Sequence, residues 1–233
     1  MLQIPPNIMF ISGMHGSGKD TLIEDLLNDK SKNDCEIIRY KKCELTSFED
    51  IYERQMRRLA KYSIDLYRVI KLALYNPYKM IITDRCIIDA FVYLKAFKDI
   101  KWLNTEEYDY LMNVTDSMFN KWSYYAFKPF VLFPTYKFIL ENLKKRQQTH
   151  TKWRETDLTY ARAIYDNYYQ LCVKYEDKDD PKYSLEVCTI EDREERLAYL
   201  KKCINLRYAA YISNSRILDD MQHHKDYFHF AIY

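Results

Sequence analysis

A chain of 233 residues is long enough for one α/β domain, or one domain with a short appendage, and its 48% of apolar residues can form a full core. The 36 lysine and arginine residues almost balance the 34 aspartate and glutamate residues, which leaves a net charge of +2. This near balance argues against a dedicated nucleic-acid binder. The apolar and aromatic content argues against a disordered chain.

The cysteine pattern and the lack of targeting signals indicate the cellular compartment in which the protein is expected. Six cysteines occur without a Cys-x-x-Cys pair, which is typical of reduced thiols in a cytosolic protein. The sequence shows no signal-peptide pattern and no apolar stretch long enough to cross a membrane. We therefore expect a soluble, cytoplasmic protein without a membrane partner.

Short apolar runs alternate with stretches of helical periodicity along the chain. The expected strands are 8–12, 35–40, 80–84, 130–133 and 183–189, and the expected helices are 21–27, 48–75, 87–97, 105–122, 136–146, 158–175 and 191–205. Thr105 is expected to be the N-cap of its helix. The alternation predicts an α/β fold with a mostly parallel sheet and helices on both faces. It stops after residue 206, so we expect one domain over 1–206 and an aromatic C-terminal extension over 207–233.

A glycine-rich segment follows the first expected strand and precedes a helix. Its glycines let backbone N–H groups surround an anion, and the helix directs its positive end at the same point. Lys19 adds a mobile positive charge for the β- and γ-phosphates. The order of strand, loop and helix therefore predicts a nucleoside triphosphate site for ATP. The expected ATP-binding residues are Gly13, His15, Gly16, Ser17, Gly18, Lys19, Asp20 and Thr21.

The residue after the lysine is usually Ser or Thr and binds Mg²⁺, whereas this chain has Asp20. Asp20 either contacts Mg²⁺ through water or lies in the first helical turn, where acids are favoured, and we prefer the second interpretation. The Gly-Lys-x-Thr form resembles the loop of adenylate kinases and other nucleotide kinases. Ser-Gly-Lys-Asp-Thr also occurs in some phage deoxynucleotide kinases. We interpret His15 as a surface residue of the loop, because phosphoryl transfer depends on positioning and charge.

A second informative segment ends the third expected strand with Asp84-Arg85. The carboxyl end of such a strand lies beside the phosphate loop in a sheet of this class. There Asp84 can order Mg²⁺ or the acceptor oxygen, and Arg85 can bridge the donor and acceptor phosphates. The alternative interpretation is a surface ion pair at the end of a strand.

Helix 48–75, the strand, Asp84-Arg85-Cys86 and then Tyr93 follow one another in an order that resembles the thymidylate kinase and deoxynucleoside kinase superfamily. Deoxynucleoside kinases carry Glu-Arg-Ser at this place, so the acid here is of the thymidylate kinase type. The resemblance implies a P-loop nucleotide-kinase fold with a five-stranded parallel sheet, and an acceptor site between the long helix and Asp84. The expected substrate-binding residues are Arg39, Lys41, Arg58, Tyr62, Arg85 and Tyr93.

A basic segment after the fourth strand includes Arg146, Lys152 and Arg154. The resemblance implies a mobile lid at about 146–157, in which Arg146 and Arg154 close over the phosphates and neutralise developing charge. Lys144 and Lys145 are better explained as cations that complement the negative end of a helix.

These residues predict an ATP- and Mg²⁺-dependent nucleotide kinase. The expected catalytic residues are Lys19, Asp84, Arg85, Arg146 and Arg154, and the expected metal ligands are Asp84 and Asp20. We expect the acceptor to be a nucleoside monophosphate, because the acceptor side is rich in cations and a phosphate oxygen needs no base.

Three alternatives stay open. The first is a deoxynucleoside kinase, which needs a carboxylate base, for which Glu44 is the nearest acid after the second strand. The second is a P-loop NTPase that acts with nucleic acid, and the third is a family member that binds nucleotide without turnover.

A homodimer could form through the apolar face of residues 90–97. These residues could equally belong to the core of the chain.

Overall fold

The computed structural model of the chain describes residues 7–29, 35–40, 50–122, 128–147, 156–175 and 185–213. Its strands are β1 (Ile8–Ser12), β2 (Glu36–Tyr40), β3 (Lys79–Asp84), β4 (Phe130–Leu132) and β5 (Glu186–Cys188). They form a sheet of order β2-β3-β1-β4-β5 in which every pair is parallel. The five-stranded parallel sheet expected from the sequence is confirmed.

Helices join and follow the strands. They are α1 (Lys19–Asn28), α2 (Ile51–Tyr75), α3 (Ile87–Asp99), α4 (Thr105–Trp122), α5 (Tyr136–Gln147), α6 (Leu158–Tyr175) and α7 (Arg193–Ser213). The last helix continues past its expected end, because it still buries Tyr211 against the core. The boundary that we expected after residue 206 therefore falls inside α7, and the tail after Ser213 lies outside the described residues.

Two apolar layers cover the sheet, one on each face. Phe10 and Ile81 face the layer that includes α2, α3 and α6, whereas Met9 and Ile82 face the layer that includes α1 and α7. The strands next to the phosphate loop are thus apolar on both faces, which is why their sequences are continuous apolar runs instead of alternating ones.

The N-terminus of α4 corrects one expectation. Asn104 is the capping residue: its Oδ1 accepts from the backbone N of Glu107 at 3.0 Å, and its backbone N donates to Glu107 Oε2 at 2.9 Å. Thr105 is the first helical residue, so its assignment as N-cap is wrong. The reciprocal pair satisfies two donors at once, an arrangement that Thr105 does not offer.

The apolar face of α3 belongs to the core of this single chain. Ala90, Tyr93, Leu94 and Phe97 are buried, and Phe91 packs edge-on against Phe119 with ring centroids 5.4 Å apart. This face is therefore occupied within the chain and is not left for a second copy. No helix among the described residues is long and apolar enough to span a membrane.

Candidate active site

Pairing between β1 and β3 brings together the two segments singled out in the sequence. Ile11 lies opposite Asp84 in the sheet, and the backbone N of Arg85 donates to Ile11 O at 2.8 Å. The glycine-rich loop leaves the end of β1 at the same edge. The phosphate loop and the Asp84-Arg85 pair are therefore neighbours because of the parallel register.

The shape of the loop depends on glycine at positions 13 and 16. Gly13 has φ 138° and Gly16 has φ 78°, both in the region that L side chains rarely adopt. A Cβ at Gly13 would lie 2.5 Å from Leu132 O, and one at Gly16 would lie 2.9 Å from Ile139 O. Asn142 on α5 donates from Nδ2 to Gly16 O at 2.9 Å. The end of β4 and helix α5 thus hold the loop closed against the sheet.

Lys19 begins α1 and is almost completely buried, with 6% of its surface exposed. Its Nζ donates to Met14 O at 2.9 Å. Burial lowers the pKa of Lys19 to about 8, and Arg85 lowers it as well, whereas Asp84 and Asp20 act in the opposite direction. An anion that binds in the loop would stabilise the charged form of this buried lysine.

Ser17 supplies an additional polar group in the loop. Its hydroxyl oxygen is buried and has no hydrogen-bond partner among the residues that the structure describes. Such a group is costly when left unpaired and can be satisfied by a bound ligand. Lys19 and Ser17 together fit the expected ATP phosphate site, while Thr21 is exposed on α1.

Asp84 is the carboxylate best placed for a metal ion. One of its oxygens, Oδ1, is buried without a hydrogen-bond partner in the described part of the chain, and its charge is close enough to raise the pKa of Lys19. Mg²⁺ in phosphotransfer sites typically binds one or two carboxylates together with substrate phosphates and water. Asp84 fits that role, and within the described ranges no group of three or more ligating side chains forms a site built from protein alone.

Asp20 lies in the first turn of α1, as our preferred interpretation expected. Its carboxylate is half exposed and lies 3.7 Å from Nη2 of Arg39, which comes from β2. Arg39 therefore pairs with Asp20 in this structure. Asp20 as a metal ligand and Arg39 as a substrate-binding residue stay predictions.

Arg85 and Arg58 form a positive wall on the side where the sequence analysis expects the acceptor. Their guanidinium carbons lie 5.3 and 5.1 Å from the centre of the Tyr93 ring. Arg85 Nη1 also donates to the Tyr93 hydroxyl at 3.0 Å. Tyr93 is fully buried, so it acts as a rigid support that holds two arginines near the phosphate loop. Tyr62 is buried on α2.

Asp89 belongs to this cluster, and the sequence analysis did not find it. Its carboxylate is fully buried and accepts from Ser12 Oγ and from the backbone N of Cys86, both at 2.8 Å, and from the Tyr168 hydroxyl. Ser12 and Cys86 donate to Oδ2, and Tyr168 donates to Oδ1, from which Arg85 Nη1 lies 3.5 Å away. The carboxylate therefore connects β1, α3 and α6 and compensates the charge of Arg85. The sequence contains one signal that could have identified Asp89. It lies three residues after Cys86, the N-cap of α3, where an acid completes a capping box.

His15 is more enclosed than we expected for a surface residue of the loop. Its side chain is partly buried, and its ring packs edge-on against Tyr93 with centroids 5.8 Å apart. Burial lowers the pKa of His15 well below its usual value, and the positive charges of Arg85, Lys19, Arg58 and Arg146 lower it further. Burial and the neighbouring cations therefore favour the neutral imidazole at this position.

Arg146 lies in the last turn of α5, close enough to act on the pKa of His15. Lys41, Arg154, Glu44 and most of the expected lid lie outside the described residues. The structure brings together Lys19, Asp84, Arg85, Arg58, Tyr93, His15 and Arg146.

Comparison with known proteins adds information on the fold. No protein-family model and no curated protein matches this chain. A structure of deoxyadenosine kinase from M. mycoides with bound dATP aligns with a TM-score of 0.62 and 17% identity, over 85% of this chain and 99% of that one.

Two further structures of deoxyadenosine kinase from M. mycoides align over the same shares. The one with bound dCTP has a TM-score of 0.54 at 18% identity, and the one with the products dCMP and a flexible dCDP has 0.51 at 15%. At this level of identity the similarity establishes the fold, and the fold fits the superfamily that the motifs resemble.

Proposed function

We propose that this chain transfers the terminal phosphoryl group of ATP to a hydroxyl group of a deoxynucleoside. The observation that carries the proposal is a phosphate loop with a buried lysine, joined through the β1–β3 register to Asp84 and Arg85. This arrangement occurs in a fold shared with deoxyadenosine kinase over nearly the whole length of that enzyme. The proposal places the deoxynucleoside ahead of the monophosphate expected from sequence.

The donor phosphates would bind to the loop. Lys19 and the N-terminus of α1 supply positive charge, and Arg85 reaches the same region from β3. Mg²⁺ held by Asp84 would neutralise phosphate charge and orient the terminal phosphoryl group. The residues around the loop thus provide positioning and electrostatic stabilisation, which phosphoryl transfer chiefly requires.

The acceptor would lie between α2 and the end of β3. A sugar hydroxyl has to lose its proton as it attacks, which calls for a carboxylate within hydrogen-bond reach. Glu44 stays the candidate for this role. Asp89 is unsuited to it, because its oxygens already accept from Ser12, Cys86 and Tyr168.

One observation favours a nucleoside monophosphate as a second candidate acceptor. Arg58 and Arg85 both lie against the Tyr93 ring. The buried carboxylate of Asp89 compensates the charge of Arg85. A dianionic phosphate would complement the two arginines, whereas a neutral nucleoside leaves part of that charge to be balanced by the donor.

The two acceptors can be separated by direct competition. The protein, ATP and Mg²⁺ are mixed with each deoxynucleoside and each 5′-monophosphate, and the products are resolved by charge. We expect at least one deoxynucleoside to be converted with a higher kcat/KM than every monophosphate. A monophosphate with the highest kcat/KM would establish the second candidate, and conversion of neither would refute both.

The variant Arg58→Gln sharpens this test. If the acceptor is a deoxynucleoside, its KM should change little, because no acceptor phosphate contacts Arg58. If the acceptor is a monophosphate, its KM should rise by about tenfold or more, the usual cost of losing one charged hydrogen bond. Arg57→Gln on the same helix is the matched control, because Arg57 is exposed and pairs with Glu53.

A further inference from the structure

Arg196 on α7 is a buried arginine, and two of its three guanidinium nitrogens lack a hydrogen-bond partner among the described residues. Only 4% of the residue is exposed, and the two nitrogens are Nε and Nη1. Burial lowers the pKa of this guanidinium from its ordinary value. A buried cation in this state favours the binding of an anion.

The guanidinium of Arg196 lies against the last glycine of the phosphate loop. A Cβ at Gly18 would be 3.3 Å from both Nη1 and Nη2, so the guanidinium packs closely against this glycine. Phe138 of α5 lies nearby, with its ring centre 5.8 Å from the guanidinium carbon. Gly18 is the N-cap of α1 and provides no side-chain cap, so the guanidinium of Arg196 lies directly beside a helix N-terminus that itself attracts anions.

The acids near Arg196 have other partners. Asp25 accepts from Nε of Arg193 at 2.7 Å and from a second nitrogen of the same guanidinium. Asp192 caps α7 by accepting from the backbone N of Glu194 and Glu195 at 3.0 and 2.9 Å. Neither carboxylate forms a hydrogen bond with Arg196 in the described part of the chain, so its donors are available to a ligand.

We infer that Arg196 binds the phosphate chain of the donor nucleotide, as a cation that reaches the loop from the β5 side while Arg85 reaches it from the β3 side. The inference rests on the proposed use of a nucleoside triphosphate donor. A guanidinium offers donors and no acceptor, and at the N-terminus of α1 the ligand that matches it is a polyphosphate. Binding would compensate a charge that destabilises the free protein.

The experiment measures binding by calorimetry for ADP, inorganic tripolyphosphate and adenosine with the wild-type protein and with Arg196→Met. We expect Arg196→Met to weaken ADP and tripolyphosphate by about tenfold or more and to leave adenosine unchanged. The ligand-free variant should melt at the same or a higher temperature than the wild type, because an unpaired buried charge is replaced by an apolar side chain. A merely structural arginine would give the opposite shift in melting temperature.

Two further variants control the result. Lys202→Met removes an exposed cation from the same helix and should leave polyphosphate binding unchanged. Arg196→Lys keeps the charge and should retain part of the affinity that Arg196→Met loses.

The outcomes separate this inference from the proposed function. Wild-type affinity of Arg196→Met for ADP and tripolyphosphate would overturn the inference alone, as would an equal loss for adenosine. Failure of the wild-type protein to bind ADP or tripolyphosphate would overturn both. Binding that depends on Arg196 in a protein without transfer activity would support the inference and refute the proposed function.

Discussion

The proposed donor and acceptor sides of the candidate active site meet at the ends of β1 and β3, but they are assembled differently. The donor side is concentrated in the loop between β1 and α1, where Lys19 and the glycines lie within a few residues of one another. The acceptor side combines Arg58 of α2, Arg85 after β3, and Tyr93 and Asp89 of α3. A short contiguous motif can specify the first, whereas the second exists only when several helices are packed correctly.

The largest expected effect tests the donor side. Lys19→Ala should lower kcat/KM by about a hundredfold or more, because it removes a charge from the transferring phosphates in a closed site. The fold should persist, since a buried charge is removed rather than added. Steady-state kinetics and circular dichroism measure the two properties. Lys79→Ala, which removes an exposed partner of Glu36, is the control, and near-normal turnover of Lys19→Ala would contradict the assignment of the phosphate loop.

The next effect tests the assembly of the acceptor side. Asp89→Asn should lower the free energy of unfolding by about 3 kcal/mol, because it removes a buried charge that compensates Arg85 and accepts several hydrogen bonds. It should also lower kcat, since Arg85 loses one of its supports. Urea denaturation and kinetics measure both changes. Asp166→Asn, which breaks the exposed pair with Arg162, should leave stability unchanged, and an equal result for the two variants would refute the role of Asp89.

A smaller effect is expected at the end of α5. Arg146→Ala should lower kcat by about tenfold and raise the KM for ATP less than that, because lid charges act mainly in the transition state. Lys144→Ala, in the same helical turn, should be close to wild type. A change confined to the KM for ATP would assign Arg146 to ground-state binding instead.

The smallest effect concerns His15 between the two sides. His15→Gln should change kcat by less than about threefold, because a neutral imidazole here supplies no general acid–base catalysis, which typically contributes a hundredfold or more. The pKa of His15 is lower in the folded than in the unfolded protein, so its contribution to stability is present above about pH 6.5 and decreases as the pH falls. The variant should lose part of this acid sensitivity, measured by denaturation at pH 5 and 7. An acidic limb of the rate profile that disappears in the variant would show that His15 is catalytic.

The sequence predicted the strands and helices that the structure describes, but it misplaced some of their boundaries. Continuous apolar runs located β1 and β3, because strands that are buried on both faces have few alternatives. The end of α7 was missed because the contact that extends it, the burial of Tyr211, depends on the core and not on local periodicity. The cap of α4 was assigned one residue late, since Asn104 and Thr105 are both good capping residues and only the reciprocal bonds with Glu107 distinguish them.

For the candidate site, the sequence by itself determined the phosphate loop and the Asp84-Arg85 pair, because the spacing of glycines and the end of a buried strand are local properties of the chain. The tertiary structure alone decided the surroundings of Asp89 and Arg196. An acid in the first turn of one helix and an arginine in the first turn of another resemble ordinary surface charges in the sequence. The two side chains become buried only because β1 and α6 enclose Asp89, and because Gly18 and Phe138 pack against Arg196. Burial and the pairing of charges between distant segments determine these surroundings, and neither is a property of sequence spacing.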